Sequence, residues 1–197
     1  MTSATARYRY LLCVMFLTAV GGCGHSRDDV RVPAVDLLHE FDRAELRPSG
    51  SFQITAYGAD GVVRPSIVMP VPSRVTWRLP LPRRGTFRAY VSARGTGGPA
   101  TIRVRLGVSD ERTYEGLAQQ TVRAGGPGWV ELGADLSAYA GVKWSLFYRP
   151  DRITWRVVLS ADTVEGAPAS AVLGSPEIVT DGAGAKEYIA RRQALRR

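Results

Sequence analysis

The chain has 197 residues, of which 45% are hydrophobic, and its 21 Gly and 12 Pro are spread along it without a fixed period. This composition indicates a turn-rich globular protein with one ordinary core and excludes a collagen-like or low-complexity chain. The formal net charge is +8, but residues 30–181 hold 18 Lys and Arg against 15 Asp and Glu. Because the excess positive charge lies near the two ends, the basic composition does not indicate a nucleic-acid-binding protein.

Residues 1–22 have the pattern of a targeting segment. Arg7 and Arg9 form a positively charged start, and an apolar run follows at residues 11–20. A run this short is typical of a signal peptide, because a helix that spans a membrane needs about 20 apolar residues. We therefore expect the first 22 residues to be removed from the mature protein.

The residues Val20, Gly21, Gly22 and Cys23 resemble a bacterial lipobox. The resemblance implies cleavage before Cys23, a diacylglycerol on its thiol and acylation of the new N-terminus, which together hold a protein firmly on a membrane. Gly24 follows the cysteine, and by resemblance to Gram-negative sorting this favours the outer membrane. The alternative is an ordinary secretory signal cleaved nearby. We expect a lipid-anchored protein of the cell envelope, with a polar lipidated tether at residues 23–32.

The chain has two cysteines, Cys13 and Cys23. The first leaves with the signal peptide and the second carries the lipid. The mature domain then has no thiol for a disulfide, a catalytic nucleophile or a metal ligand.

Residues 33–181 read as a succession of short strands separated by Gly, Pro and Asp turns. Apolar residues alternate with polar ones, which is the pattern of a strand buried on one face. The predicted strands are residues 52–57, 66–69, 74–79, 86–94, 102–108, 114–122, 153–159 and 171–180. Residues 35–41 fit either a first strand or one helical turn. So many strands without an amphipathic helix between them predict an antiparallel β-sandwich, and their number fits a jelly roll.

Residues 128–149 contain a strand, a tight polar turn and a second strand. Trp129 alternates with Glu131 before a turn at residues 135–137, and the period of two resumes at residues 142–148. The four tryptophans fall on the apolar side of their strands, so we expect Trp77, Trp129, Trp144 and Trp155 in the core.

Residues 182–197 are rich in Lys and Arg. Their composition favours a helix, but an isolated helix this short is marginal in water. We interpret the segment as a basic tail, either solvated or lying against anionic lipid or another envelope component.

Several segments together resemble the galactose-binding-like jelly-roll β-sandwich that precedes the catalytic domain in some bacterial sulfatase-type proteins. They are VDLL at residues 35–38, the proline-flanked strand pair at 64–82, WVELGADLSAYAG at 129–141 and GSPEIV at 174–179. The resemblance covers residues 35–179 and implies a non-catalytic accessory domain. The chain lacks the sulfatase nucleophile motif C-x-P-x-R or S-x-P-x-R. It also has Leu173 where related sandwiches often carry a Trp that contacts ligand.

The sequence predicts no enzyme, metal site or cofactor. Its two histidines, His25 and His39, are far apart, no pair of His or Cys has metal-ligand spacing, and no glycine-rich phosphate loop is present. A hydrolase would require His39 beside an acid and a serine, or carboxylates clustered in a cleft.

One positive feature remains, a set of arginines on the outward side of the predicted strands. If these strands share a sheet, the arginines interleave with a tyrosine on one face. The predicted ligand-binding residues are Arg78, Arg88, Tyr90, Arg103, Arg105 and Arg156. Guanidinium groups bind carboxylate, sulfate and phosphate through two parallel hydrogen bonds. A solvated surface that pairs with Glu is the alternative.

The sequence therefore suggests a membrane-anchored, non-catalytic binding module for an anionic carbohydrate or another envelope ligand. The alternative is a structural or accessory lipoprotein that docks on a protein partner of the envelope. An exposed arginine and tyrosine face favours the first, whereas a flat apolar patch favours the second. Neither hypothesis involves nucleic acid.

Overall fold

The computed structural model describes residues 30–95, 97–126, 128–140 and 154–195. The predicted signal peptide, Cys23, Trp144 and the predicted strand at residues 142–148 lie outside this part. The described strands are β1 (Val32–Asp36), β2 (Glu45–Arg47), β3 (Gln53–Ala59), β4 (Val62–Pro70), β5 (Ser73–Leu79), β6 (Thr86–Gly95), β7 (Ala100–Ser109), β8 (Tyr114–Arg123), β9 (Val130–Asp135), β10 (Trp155–Gly166) and β11 (Ala169–Thr180). The helices are a 3-10 turn (Phe41–Arg43), α1 (Ser137–Ala140) and α2 (Gly182–Leu195).

The strands form two antiparallel sheets. One has the order β3-β4-β11-β6-β9, with β1 also beside β11, and the other has the order β2-β5-β10-β7-β8. The last two strands enter the middle of the sheets, since β10 lies between β5 and β7 and β11 lies between β4 and β6. This is the jelly-roll arrangement, so the predicted fold class is confirmed.

Apolar side chains at every second position of the strands form the core between the sheets. On β7, Ile102, Val104, Leu106 and Val108 are at most 1% exposed, while Arg103 lies on the opposite side of the strand. The same period holds on β5, β6 and β10, which meet in one hydrophobic cluster. The sequence pattern therefore predicts correctly which side of β5, β6, β7 and β10 is buried.

The expectation for the tryptophans is confirmed for Trp77 and Trp155, which belong to the core, and is wrong for Trp129. The Trp129 ring lies on the outer face of the six-stranded sheet, where a Cβ on Gly174 would be 2.8 Å from it. Its indole Nε1 donates to the Val62 carbonyl at 2.9 Å. Trp129 lies just before β9, and its side chain packs against the outer face of the sheet.

The segment interpreted as a basic tail is largely helical, because α2 docks on the sandwich. Tyr188 belongs to the core cluster and is 3% exposed. The Asp181 carboxylate accepts hydrogen bonds from the Gly184 backbone N–H at 2.7 Å and from Arg84 at 2.8 Å, and Arg192 pairs with Glu40. Tertiary contacts thus supply the stability that a short helix lacks alone. No helix within the described ranges has the length and hydropathy to cross a membrane.

Replacing Asp181 with Asn should loosen α2 at neutral pH but have little effect in acid. The hydrogen bond from Gly184 and then the Arg84 side chain hold the pKa of Asp181 below its ordinary value. Because the folded state lowers this pKa, the stabilisation is present above about pH 4 and is lost as the pH falls through the lowered value. Melting temperatures of Asp181→Asn and the original chain should converge in acid. Asp42→Asn, at an exposed site, is the control, and a difference that persists unchanged at low pH would contradict this account.

Candidate ligand-binding face

The structure divides the predicted site residues between the two sheets. Arg78, Arg103, Arg105 and Arg156 lie on β5, β7 and β10, which share the five-stranded sheet. Arg88 and Tyr90 lie on β6 of the other sheet. The expectation of one common face is therefore wrong for these two residues. In a jelly roll the chain crosses from β6 to β7 between sheets, so the two strands turn their polar sides in opposite directions.

The outer side of the five-stranded sheet, which we call the arginine face, carries seven arginines among the described residues. They are Arg47, Arg74, Arg78, Arg103, Arg105, Arg123 and Arg156. Four of them contact an acid, and two of these four share a single carboxylate. Arg78 and Arg156 stand directly opposite each other and both contact Glu111 Oε1, at 3.0 and 3.1 Å. At this end of the arginine face, both guanidinium groups are therefore held by one carboxylate.

A second row of basic residues crosses the strands farther along. Arg47 is opposite Arg74, Arg74 is opposite Ser160, and Ser160 is opposite Arg105. Like charges directly opposite on neighbouring strands destabilise a sheet. Arg47 pairs with Glu45 through its Nε at 2.9 Å, and Arg105 contacts Asp162 at 3.5 Å. We call Arg47, Arg74, Ser160 and Arg105 the basic row.

The basic row lines an open pocket of about 470 Å³. The other lining residues are Pro48, Pro72, Ser73 and Asp162. Three guanidinium groups thus line the pocket with the Asp162 carboxylate, and Glu45, outside the lining, pairs with one of them, Arg47.

Ser73 is 8% exposed, and its Oγ is buried with no hydrogen-bond partner. The Ser73 hydroxyl has the parity of the buried Val75 and faces away from the pocket, whereas Ser160 lies on the same side as Arg74 and Arg105. A pocket with surplus positive charge and the Ser160 hydroxyl can bind an oxyanion.

Sequence reasoning missed Arg47, Arg74 and Ser160. Arg74 lies on the same side of β5 as Arg78, so the alternation along this strand could have placed it among the predicted site residues. Arg47 belongs to the three-residue strand β2, which is too short to show an alternation. Ser160 carries no signal that separates it from other strand serines.

The two predicted site residues on the six-stranded sheet have partners within the protein. Arg88 donates to Glu177 Oε1 at 2.6 and 3.0 Å, and this hydrogen bonding raises the pKa of Arg88. The Arg64 guanidinium lies over the Tyr90 ring, 3.5 Å from its centroid, in a cation–π contact. These contacts link strands on the outer surface of the six-stranded sheet.

His39, the one histidine within the described residues, has an acid beside it but no serine in the pocket that it lines. This pocket, of about 240 Å³, is also lined by Glu40, Tyr188 and Arg192. Burial acts to raise the pKa of Glu40, but the hydrogen bond and charge of Arg192 outweigh it and lower the pKa. Glu40 is thus an ionised partner of Arg192. The described residues contain no group of three or more His, Cys, Asp or Glu placed to hold a metal.

Comparison with protein families and with curated proteins finds no match. Among solved structures, the chain is similar to the CBM22-1 and GH10 modules of Clostridium thermocellum xylanase 10B complexed with xylohexaose, with 16% identity and a TM-score of 0.42 over 78% of this chain and 28% of that one. It is similar to the CBM22-2 xylan-binding domain of Paenibacillus barcinonensis Xyn10C, with 10% identity and a TM-score of 0.42 over 77% and 98% of the two chains. A CBM4 structure gives 13% identity and 0.36 over 79% and 96%. At these values the likeness says nothing about what this chain binds.

Proposed function

We propose that the protein is a non-catalytic module that binds an anionic carbohydrate on its arginine face and is held at the cell envelope by lipid on Cys23. The observation that supports this most directly is the pocket of about 470 Å³ whose lining has three arginines and one carboxylate. A sheet surface that served stability alone would gain from replacing one of the opposed arginines Arg47 and Arg74.

The chemistry of the lining fits an acidic sugar. Arg74 and Arg105 can each hold an oxyanion through two parallel N–H donors, and Ser160 adds a hydroxyl donor. Asp162 offers an acceptor for a sugar hydroxyl beside the charged group. The pocket is open and the basic row runs across the strands, so a polymer can lie along it.

This function predicts a distinct binding profile. The purified protein should bind carboxylated or sulfated polysaccharides and leave neutral ones of the same length unbound. Its affinity should fall steadily as salt is added, because counter-ions screen exposed charges and the Debye length shrinks to about 3 Å at 1 M. Isothermal titration across a salt series measures both properties. Equal binding to neutral and acidic glycans, or no binding to either by folded protein, would overturn the proposal.

A further inference from the structure

Strand β3 forms one edge of the six-stranded sheet, and none of the described strands pairs with its other side. Its sequence, QITAYGA, has no charged residue and no proline, and its register against β4 is regular. A free edge of this kind is a template for pairing with another strand, and proteins usually block it with charge, proline, a bulge or a short length.

The other described edge strands all carry such a block. Strand β9, at the opposite edge of the same sheet, contains Glu131 and Asp135. Strand β2 has three residues, two of them charged, and β1 contains Pro33. Strand β8 contains Glu115 and pairs with β7 through a register irregularity. Among the described strands, β3 is therefore the exception.

The same hairpin also has an uncovered apolar side. Ile54 is opposite the buried Ile67, so it has core-facing parity, yet it is 52% exposed. Ala56 and Pro65 share this parity and are exposed, and Val63 is 68% exposed. This end of the hairpin extends beyond the part of the sheet that the core covers. The uncovered side and the unblocked edge both lie on the β3–β4 hairpin.

We propose that two copies of the chain pair through β3, antiparallel and about a two-fold axis, to form one continuous sheet. The strand is complementary to itself. With the axis at Ala56, Ile54 stands opposite Gly58 of the second copy and Thr55 stands opposite Tyr57 of the second copy. The first pair gives a large side chain room beside a small one, and the second is a favourable β-branched and aromatic pair. No charge opposes a like charge, and both copies use the same patch, as a two-fold dimer requires.

The dimer would raise the avidity of the arginine face for a long polymer, and this step rests on the proposed carbohydrate binding. Antiparallel strands in a sheet are related by an axis perpendicular to it, so both five-stranded sheets lie on the same side of the joined sheet. Both arginine faces then point the same way. A polymer long enough to reach both would be held with higher avidity than a short oligosaccharide, without any new contact.

Sedimentation equilibrium of the purified full chain tests the pairing. The expected mass is twice that of one chain, and Ala56→Lys should give a monomer because two lysines would face each other across the axis. Gly133→Lys adds the same charge to β9, the other edge of the same sheet, and should leave the dimer intact. Mixing Ala56→Lys with Ala56→Glu should restore the dimer, which separates a broken interface from a misfolded chain.

An original chain that stays monomeric at about 100 μM would overturn the pairing, as would equal dissociation by Ala56→Lys and Gly133→Lys. The mass measurement uses no glycan, so its outcome is separate from that of the carbohydrate titration. If the dimer forms but short and long acidic glycans bind alike, the pairing stands and the avidity is wrong.

Discussion

The double variant Arg74→Gln with Arg105→Gln should lose about 10²- to 10⁴-fold in affinity for an acidic glycan while staying folded. A hydrogen bond to a charged group contributes about 1.5–3 kcal/mol, and each arginine can make such bonds to an oxyanion in the pocket. Since about 1.4 kcal/mol corresponds to a factor of ten, the loss from both is large. Isothermal titration with the glycan that binds the original chain measures it.

The matched control is Arg78→Gln with Arg156→Gln, on the same face and with the same change in charge. Both of these arginines are held by Glu111, so we expect their loss to change the affinity by a factor of about three or less. Arg74→Lys should fall between the two, since lysine keeps the charge and loses the planar fork. Equal losses in both double variants would show that net charge alone attracts the glycan, and would contradict a site at the basic row.

Stability provides a second readout. Arg47 and Arg74 oppose each other with like charge, so Arg74→Gln should leave the melting temperature unchanged or raise it. A fall in affinity together with a rise in stability is typical of a residue kept for binding. A variant that melts much earlier would mean that Arg74 supports the sheet.

The sequence predicts the faces of the strands well, because burial on one side imposes a period of two. On β7 the alternation places Arg103 and Arg105 outward and Ile102 and Val104 in the core, as the structure has them. It does not predict which sheet a strand joins. The alternation separates inward-facing from outward-facing residues within one strand only. Arg88 and Arg103 are therefore equivalent in sequence, because each faces outward from its own strand, although the two strands belong to different sheets.

Two further differences depend on contacts between distant residues. The basic row joins Arg47 to Arg74 through pairing of β2 with β5, and nothing within the three residues of β2 indicates that partner. Helix α2 depends on Asp181 binding Arg84 and on Glu40 binding Arg192, across 97 and 152 residues of sequence. Local propensity describes α2 correctly as a weak helix, and the docking supplies the rest.

Cys23→Ala should move the protein completely from the membrane fraction to the soluble fraction. Each acyl CH₂ buried in the bilayer contributes about 0.8 kcal/mol, so two or more chains hold a protein firmly, and removing the thiol removes the attachment point for the first of them. Membrane fractionation and incorporation of labelled palmitate measure the change. Cys13→Ala, within the predicted signal peptide, is the control and should leave the protein on the membrane. An original chain found soluble and unlabelled would indicate an ordinary secretory signal.

The proposed lipid on Cys23 would also constrain the orientation of the proposed dimer on the membrane. Eight residues separate Cys23 from Val32, where β1 begins, and at about 3.3–3.6 Å per residue this tether spans at most about 30 Å. When two copies are placed symmetrically on one membrane, their two-fold axis lies along the membrane normal. Because this axis is perpendicular to the joined sheet, the sheet lies parallel to the membrane and both arginine faces point directly away from it or directly towards it. Added acidic polysaccharide should therefore bind anchored protein and Cys23→Ala equally if the faces point away, whereas faces turned to the membrane predict binding by the released variant alone.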